Sequence, residues 1–318
     1  MKAIVQTGYG SPNVLELREI DAPPVNEEDV LVRVRAAGIH AGDYYAMMGA
    51  PYGVRFVVGF PKPKNYVPGY DLAGIVEETG SAVTRFQPGD EVFGACKGGC
   101  AELVSTAEEK LVSKPESVDY LQAGAVATSA LAALHGLRDA GKVQPGMKVL
   151  INGASGGVGT FGVQIAKALG AEVTGVCSGR NVEMVSSIGA DHVIDYTRED
   201  FTQNGQQYDL ILDNATSRSF AEYKRALSPS GRVIPNSGNA GMGPVASAMI
   251  RSFYARQQGR PYYSSPKQDD LLTLRDMLEA GKIRTIVDRT YSLDETPEAM
   301  AYIGQGHAQG KVVIRVGD

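Results

Sequence analysis

One run near the middle of the chain limits its fold more than any other: Val149-Leu150-Ile151-Asn152-Gly153-Ala154-Ser155-Gly156-Gly157-Val158-Gly159. A short apolar strand enters a glycine-rich turn, and an amphipathic helix, Gly157–Leu169, opens at its end. The first amides of a helix have no partner within it and carry the positive end of its dipole. A strand, turn and helix in this order therefore form a phosphate cradle. Gly156 lets backbone approach a diphosphate, and Gly159 lets the helix lie close to the strand. The first glycine position of the usual fingerprint is Ala154 here. Ser155, Gly156, Gly157 and Val158 are the expected phosphate contacts.

Short apolar strands alternate with helices around this turn. The strands are Lys148–Asn152, Glu172–Cys177, His192–Asp195, Asp209–Asp213 and Arg232–Pro235. Gly157–Leu169, Val182–Ile188 and Ser219–Ala226 carry the helical spacing between them. Such alternation predicts a parallel sheet with helical crossovers. The first 115 residues differ. Lys2–Thr7, Val14–Glu19, Val30–Ala37, Ala73–Glu78, Glu91–Gly94 and Ala101–Ser105 read as strands. Six prolines between them, at 12, 51, 61, 63, 68 and 88, exclude long helices there. Val118–Ala140 reads as a helix leading into the second half. The tail offers helices at Gln268–Ala280 and Glu298–Gln305, a polar connection between them, and a last strand, Lys311–Val316, expected to return to the first half. The expected division is 1–120 with 266–318 as one domain and 121–265 as the other.

The end of the second parallel strand decides which dinucleotide fits. A carboxylate there would bond the ribose 2′-hydroxyl of NAD. Instead it reads Ser178-Gly179-Arg180-Asn181. A hydroxyl and a guanidinium suit a 2′-phosphate, so NADPH is expected, with Ser178, Arg180 and the later Tyr196 around the adenosine end. Open α/β sheets bind ligands at the carboxyl ends of their strands. Asn214 and Ala215 after the fourth strand, and Asn236 and Ser237 after the fifth, are therefore added. Thr128 and Lys311 complete the expected set.

The charge balance, 31 Lys and Arg against 36 Asp and Glu, leaves no basic footprint for nucleic acid. Three cysteines make no disulfide framework, and Met1-Lys2-Ala3-Ile4-Val5 lacks the apolar run of a secretory leader, so a cytoplasmic protein is expected. Tyr120–Leu137 is uncharged, but alanine and polar groups dominate it, and no membrane span is expected.

Taken together, Val32–Gly42, Val67-Pro68-Gly69-Tyr70-Asp71-Leu72-Ala73-Gly74-Ile75-Val76, Phe86-Gln87-Pro88-Gly89-Asp90-Glu91-Val92, Ala154–Gly159, Gly189-Ala190-Asp191-His192-Val193-Ile194-Asp195-Tyr196 and Gly310-Lys311-Val312-Val313-Ile314 resemble the medium-chain dehydrogenase/reductase superfamily. Within it they are most similar to the zinc-independent quinone oxidoreductases, including the chloroplast-envelope homologues. The resemblance implies an α/β protein with a GroES-like β-rich catalytic domain, a Rossmann domain with a doubly wound parallel sheet, and a cleft between them where NADPH reduces quinones or α,β-unsaturated carbonyls. It also implies a homodimer.

Zinc alcohol dehydrogenases share that architecture, and their ligand positions correspond to His40, Tyr70 and Ala127. Only one of these can bind zinc, so no metal is expected. Cys96 and Cys100 lack the second pair a structural zinc lobe requires. The family's Asn-Pro-Val-Asp-x-Tyr stretch corresponds to His40-Ala41-Gly42-Asp43-Tyr44-Tyr45. Tyr45 takes the place of the pocket tyrosine and His40 that of the asparagine. His40 has two readings, a donor to a substrate carbonyl or a buried histidine that satisfies backbone. Asp43 is read as a structural cap or loop anchor rather than a base. The 242–263 segment mixes Arg251, Arg256 and Arg260 with Phe253, Tyr254, Tyr262 and Tyr263, which fits a mobile helix over the cleft or a subunit interface. The functional reading is a metal-free NADPH-dependent reductase of enals, enones or quinones. Its alternatives are a quinone reductase proper and a catalytically quiet NADPH-binding sensor.

Overall fold

The computed structural model describes every residue except 64, 65, 237–241, 254, 263 and 318, and only the backbone at 54, 57 and 242–246. Strands β1 to β7 span Lys2–Gln6, Leu15–Glu19, Asp29–Ile39, Asp71–Thr79, Glu91–Ala95, Leu103–Ala107 and Leu111–Ser113. Strands β8 to β12 span Lys148–Asn152, Glu172–Cys177, His192–Asp195, Tyr208–Asp213 and Leu227–Pro235, and β13 and β14 span Val287–Ser292 and Lys311–Arg315. The chain forms two compact units, 1–131 with 265–318, and 132–264. The helix Tyr120–Ala123 lies in the first unit, where Tyr120 and Leu121 pack on Ala36, Ala125 and Val313.

In the first unit a sheet runs in the order β13-β14-β3-β4-β5-β7, with β6 also on β3 and a β1–β2 hairpin beside it. Alternation along β3 buries Val30, Val32 and Val34, each contributing about 1.5–3 kcal/mol relative to an exposed side chain. The last strand returns as expected: β14 pairs antiparallel with β3, Ile314 opposite Ala37. Two of the elements the sequence reading did not give have a clear physical reason. Strand β13 is a half-exposed edge pairing parallel with β14, so it shows no apolar alternation. The helix Ala41–Met48 is set by its ends, a capping box between His40 and Asp43 and a left-handed Gly49.

The second unit holds five parallel strands in the order β10-β9-β8-β11-β12. Chain order reverses between β8 and β11, and ligands bind outside the carboxyl ends of such a sheet at that reversal. Leu150, Val176, Ile194, Ile211 and Val233 build its core with Phe201, Tyr208 and Tyr223. The expected single helix Val118–Ala140 is broken after Ala123, resumes over Ala127–Leu134 and ends in a π-helical turn, His135–Ala140. No helix among the described residues is long and apolar enough to cross a membrane.

Candidate functional site

The central strand β8 delivers the phosphate turn to the sheet's reversal point. Gly153 takes the left-handed turn, with φ +76°, so the tight-turn glycine lies one residue before the expected Ala154. Gly153 and Ala154 both donate backbone N–H bonds to Val176 O, which ties the turn to β9. Gly156 is the extended N-cap of the helix Gly157–Ala168, with no side-chain cap on that helix. Gly157, Val158 and Gly159 occupy the first turn, where amides have no intrahelical partner. A Cβ on Gly159 would stand 2.0 Å from Gly153 O, so close packing forbids one. A Cβ on Gly156 would meet only Gly153 O at 3.6 Å, an ordinary contact. The protein's own packing therefore does not require glycine at 156.

At the end of β9, Ser178 is half-buried and Arg180 exposed. Sequence reading missed Asn181, which lies between them and the turn. Its buried side-chain amide donates to Ser155 Oγ at 2.9 Å and to Ser178 Oγ at 3.2 Å, and its Oδ1 is buried without a partner. The next strand supplies the carboxylate that β9 lacks. Asp195 ends β10 and accepts from Thr197 N at 3.0 Å and Thr197 Oγ1 at 2.8 Å. Those bonds, and one from the Gly179 backbone, hold its carboxyl below the usual range. Arg198 lies 3.6 Å away. Tyr196 follows, 54% exposed.

Beyond the reversal, the end of β11 is fixed by Asp213, which is 3% exposed. It accepts from Asn152 Nδ2 at 2.9 Å, Ala215 N at 3.2 Å and Thr216 N at 3.0 Å, setting the Asn214-Ala215 backbone. Asn236 Nδ2 donates to Asn214 Oδ1 at 2.7 Å, so these two expected residues do meet. The Tyr262 hydroxyl reaches both Asn236 Oδ1 and Ala132 O. Burial raises that phenol above its ordinary range, so it stays protonated. Ser237 lies outside the described residues.

The other expected residues lie in the first unit. His40 is the N-cap of Ala41–Met48. Gly42 N–H donates to its Nδ1 at 3.1 Å, with Asp43 Oδ2 3.5 Å from the same nitrogen, and a neutral ring that accepts there carries its proton on Nε2. The ring stacks on Tyr70, centroids 5.6 Å apart and planes 18° apart. Buried Asp43 accepts from His40 N at 3.0 Å and from Gly69 N at 2.8 Å, the capping role read from sequence. Nε2 is buried and unpartnered among the described residues. Tyr66 donates to the Tyr70 hydroxyl at 2.8 Å, and burial, reinforced by Asp43, pushes its own ionisation far up. Tyr45, half-buried, meets Tyr44 edge-on at 5.8 Å.

Thr128 and Lys311 belong to a buried network around Asp71 that sequence reading did not anticipate. Thr128 donates to Asp71 Oδ1 through both its amide and its hydroxyl. Lys311 is 1% exposed; its Nζ donates to Ser129 Oγ at 2.9 Å and lies 3.6 Å from Asp71 Oδ2. Any cofactor contact by Lys311 competes with these. His40 and Tyr70, at two of the zinc-ligand positions, do come together, but no group of three or more His, Cys, Asp or Glu side chains does among the described residues.

Two family models match, the alcohol dehydrogenase GroES-like domain over residues 26–135 and the zinc-binding dehydrogenase over 188–314. The chain is 30% identical to the chloroplast envelope quinone oxidoreductase homolog of Arabidopsis thaliana, over 99% of this chain and 98% of that one. It is also 30% identical to the 2-methylene-furan-3-one reductase of Solanum lycopersicum, over 99% of this chain and 79% of the other. The solved quinone oxidoreductase of Coxiella burnetii superposes with a TM-score of 0.89 at 27% identity, covering 100% of this chain and 99% of that chain. A GroES-like β unit, a doubly wound sheet with its phosphate turn and this near full-length likeness agree: the chain belongs to the medium-chain dehydrogenase/reductase superfamily, among oxidoreductases that use nicotinamide cofactors and beside the quinone oxidoreductases and their homologues.

Proposed function

We propose that this protein is an NADPH-dependent, zinc-independent reductase of α,β-unsaturated carbonyls or quinones. One observation carries the reading: the buried, unpartnered Nε2–H of His40, held in a fixed tautomer and orientation. A buried donor left unsatisfied costs about 1–3 kcal/mol, a cost that a carbonyl oxygen would remove. When bound, the reduced nicotinamide supplies a hydride. Reduction would develop negative charge on the acceptor's oxygen, and a His40 donor held in place beforehand would stabilise that charge without reorganising. Asp43, Gly42 and Tyr70 orient His40, and Tyr45, five residues on in the same helix, would line the acceptor's site beside it. The proton that completes the reduction comes from this donor or from water.

The free amides of Gly157 and Val158 would hold the diphosphate, with Ser155 fixed by Asn181 and Gly156 allowing the approach. Ser178, Arg180 and Tyr196 would meet the 2′-phosphate. The bonds from Thr197 and Gly179 engage Asp195, and Arg198 offsets its charge, which limits repulsion there. Asn214, Ala215 and Asn236 would line the nicotinamide side. Thr128 and Lys311 are assigned to that ligand through Asp71, with Lys311 more a positioning residue than a direct contact. Relatives named for a quinone and for an enone support both acceptor classes. Three free, buried cysteines support a reducing compartment such as the cytoplasm, and the family's habit supports a homodimer.

Loss of NADPH absorbance with a panel of quinones and enals tests this reading. His40→Phe keeps the stack on Tyr70 and removes the donor, so kcat/KM for the best acceptor is expected to fall about 100-fold with NADPH affinity unchanged. An equally active His40→Phe enzyme would remove His40 from the chemistry. Tight NADPH binding with no acceptor turned over would replace the enzyme with a sensor.

A further inference from the structure

We propose that the nucleotide-binding unit carries a second anion site, built for a small molecule with a phosphate group and at least two negative charges. A cavity of about 690 Å³ is lined by Arg232, Arg256 and Arg260 with Ser252, Gln258 and Tyr262. That volume is typical of small-molecule sites. No carboxylate lines it, and among the described residues none of the three guanidinium groups forms an ion pair. Arg260 rests over the Phe253 ring at 5.5 Å, which orients the group without neutralising it. Gln258, buried and bonded by Arg251 Nε at 3.3 Å, forms a fixed polar wall.

Three like charges facing one cavity repel each other, in a chain whose net charge is −5. An anion relieves that repulsion, and guanidinium forks match phosphate oxygens in pairs. Three arginines in an acidic chain make no track for a nucleic acid, so the occupant is a small anion. The cavity is also distinct from the phosphate turn. Arg232 pairs with Leu210 within the sheet, and Asn236 lies four positions further along, roughly 13 Å of strand. Its border includes Ala140, the last residue of the π-helical turn His135–Ala140, a rare form frequent at functional sites. Tyr262 forms one wall while its hydroxyl reaches Asn236, so an occupant would share a residue with the strand ends.

Calorimetric titration of the full-length protein with inorganic pyrophosphate, and separately with ADP, tests the proposal, each in saturating NADPH. One site is expected to remain open to pyrophosphate. Its affinity should fall at least about tenfold in the Arg256→Ala/Arg260→Ala variant, partly return in Arg256→Lys/Arg260→Lys, and stay unchanged in Arg180→Ala. Tighter binding of ADP than pyrophosphate would show that a nucleoside is read as well, and equal binding that the phosphates suffice. No binding by the wild type, complete displacement by NADPH, or equal affinity in the double alanine variant would overturn the proposal. Unchanged circular dichroism and NADPH affinity verify that the variant is folded. If it does not fold, Arg232→Ala, on an exposed strand position, carries the same expectation.

Discussion

Arg180 and Asp195 mark the residue-scale contest over the cofactor. An exposed guanidinium at the end of β9 would attract a 2′-phosphate, while a carboxylate from β10, already bonded to Thr197, stands beside Gly179. If the guanidinium dominates, Arg180→Ala should raise the KM for NADPH about tenfold or more and leave that for NADH within about twofold, measured by steady-state kinetics with one acceptor. Equal changes would end the NADPH preference. Ser178 and Arg180 were legible because they follow a recognisable strand. Asp195 and Asn181 were not, because their place depends on how β9, β10 and the turn lie side by side, and adjacency within a sheet is not written in sequence order.

Among the elements, the strand–turn–helix unit separates two reasons for a glycine. Gly159→Ala would drive a Cβ into Gly153 O, so it should destabilise the unit by roughly 3 kcal/mol and lower the melting temperature. Gly156→Ala has room, and it should melt with the wild type yet bind NADPH at least about tenfold more weakly. Paired melting curves and NADPH titrations check both. If Gly156→Ala bound the cofactor normally, the phosphate reading of the turn would fail. Strand β14 offers a second test. Lys311→Met leaves the carboxylate of Asp71 buried beside Thr128 without a cation, which should cost about 3–5 kcal/mol in urea unfolding. Asp71→Asn in the same chain should restore part of it. The helix Ala41–Met48 shows why some elements escape a sequence pass. It is short and amphiphilically weak, and its signal is two caps rather than a repeat.

For the whole molecule, whether a metal is required is the property to test, because one matching family is described as zinc-binding. Dialysis of the enzyme against a chelator should leave NADPH-dependent reduction within about 20% of its starting rate, whereas a zinc ligand set would make it collapse. Added zinc that restored a lost activity would overturn the metal-free reading. His40 stands at one ligand position, and its Nδ1 is taken by Gly42 N–H, so the side chain serves a helix cap before any ion.

By itself the sequence determined the parallel sheet, locating all five strand ends and three of the five starts to the residue, the glycine turn that opens a helix and the return of the last strand, because these are set by local periodicity and by glycines at fixed spacing. The tertiary structure alone decided which polar groups share a wall. It paired Asn181 with Ser155, Lys311 with Asp71 and Tyr262 with Asn236, and it placed three arginines around one cavity. Each pairing joins elements distant in the chain, and whether a buried polar group is satisfied depends on neighbours that only the folded backbone brings within hydrogen-bond reach.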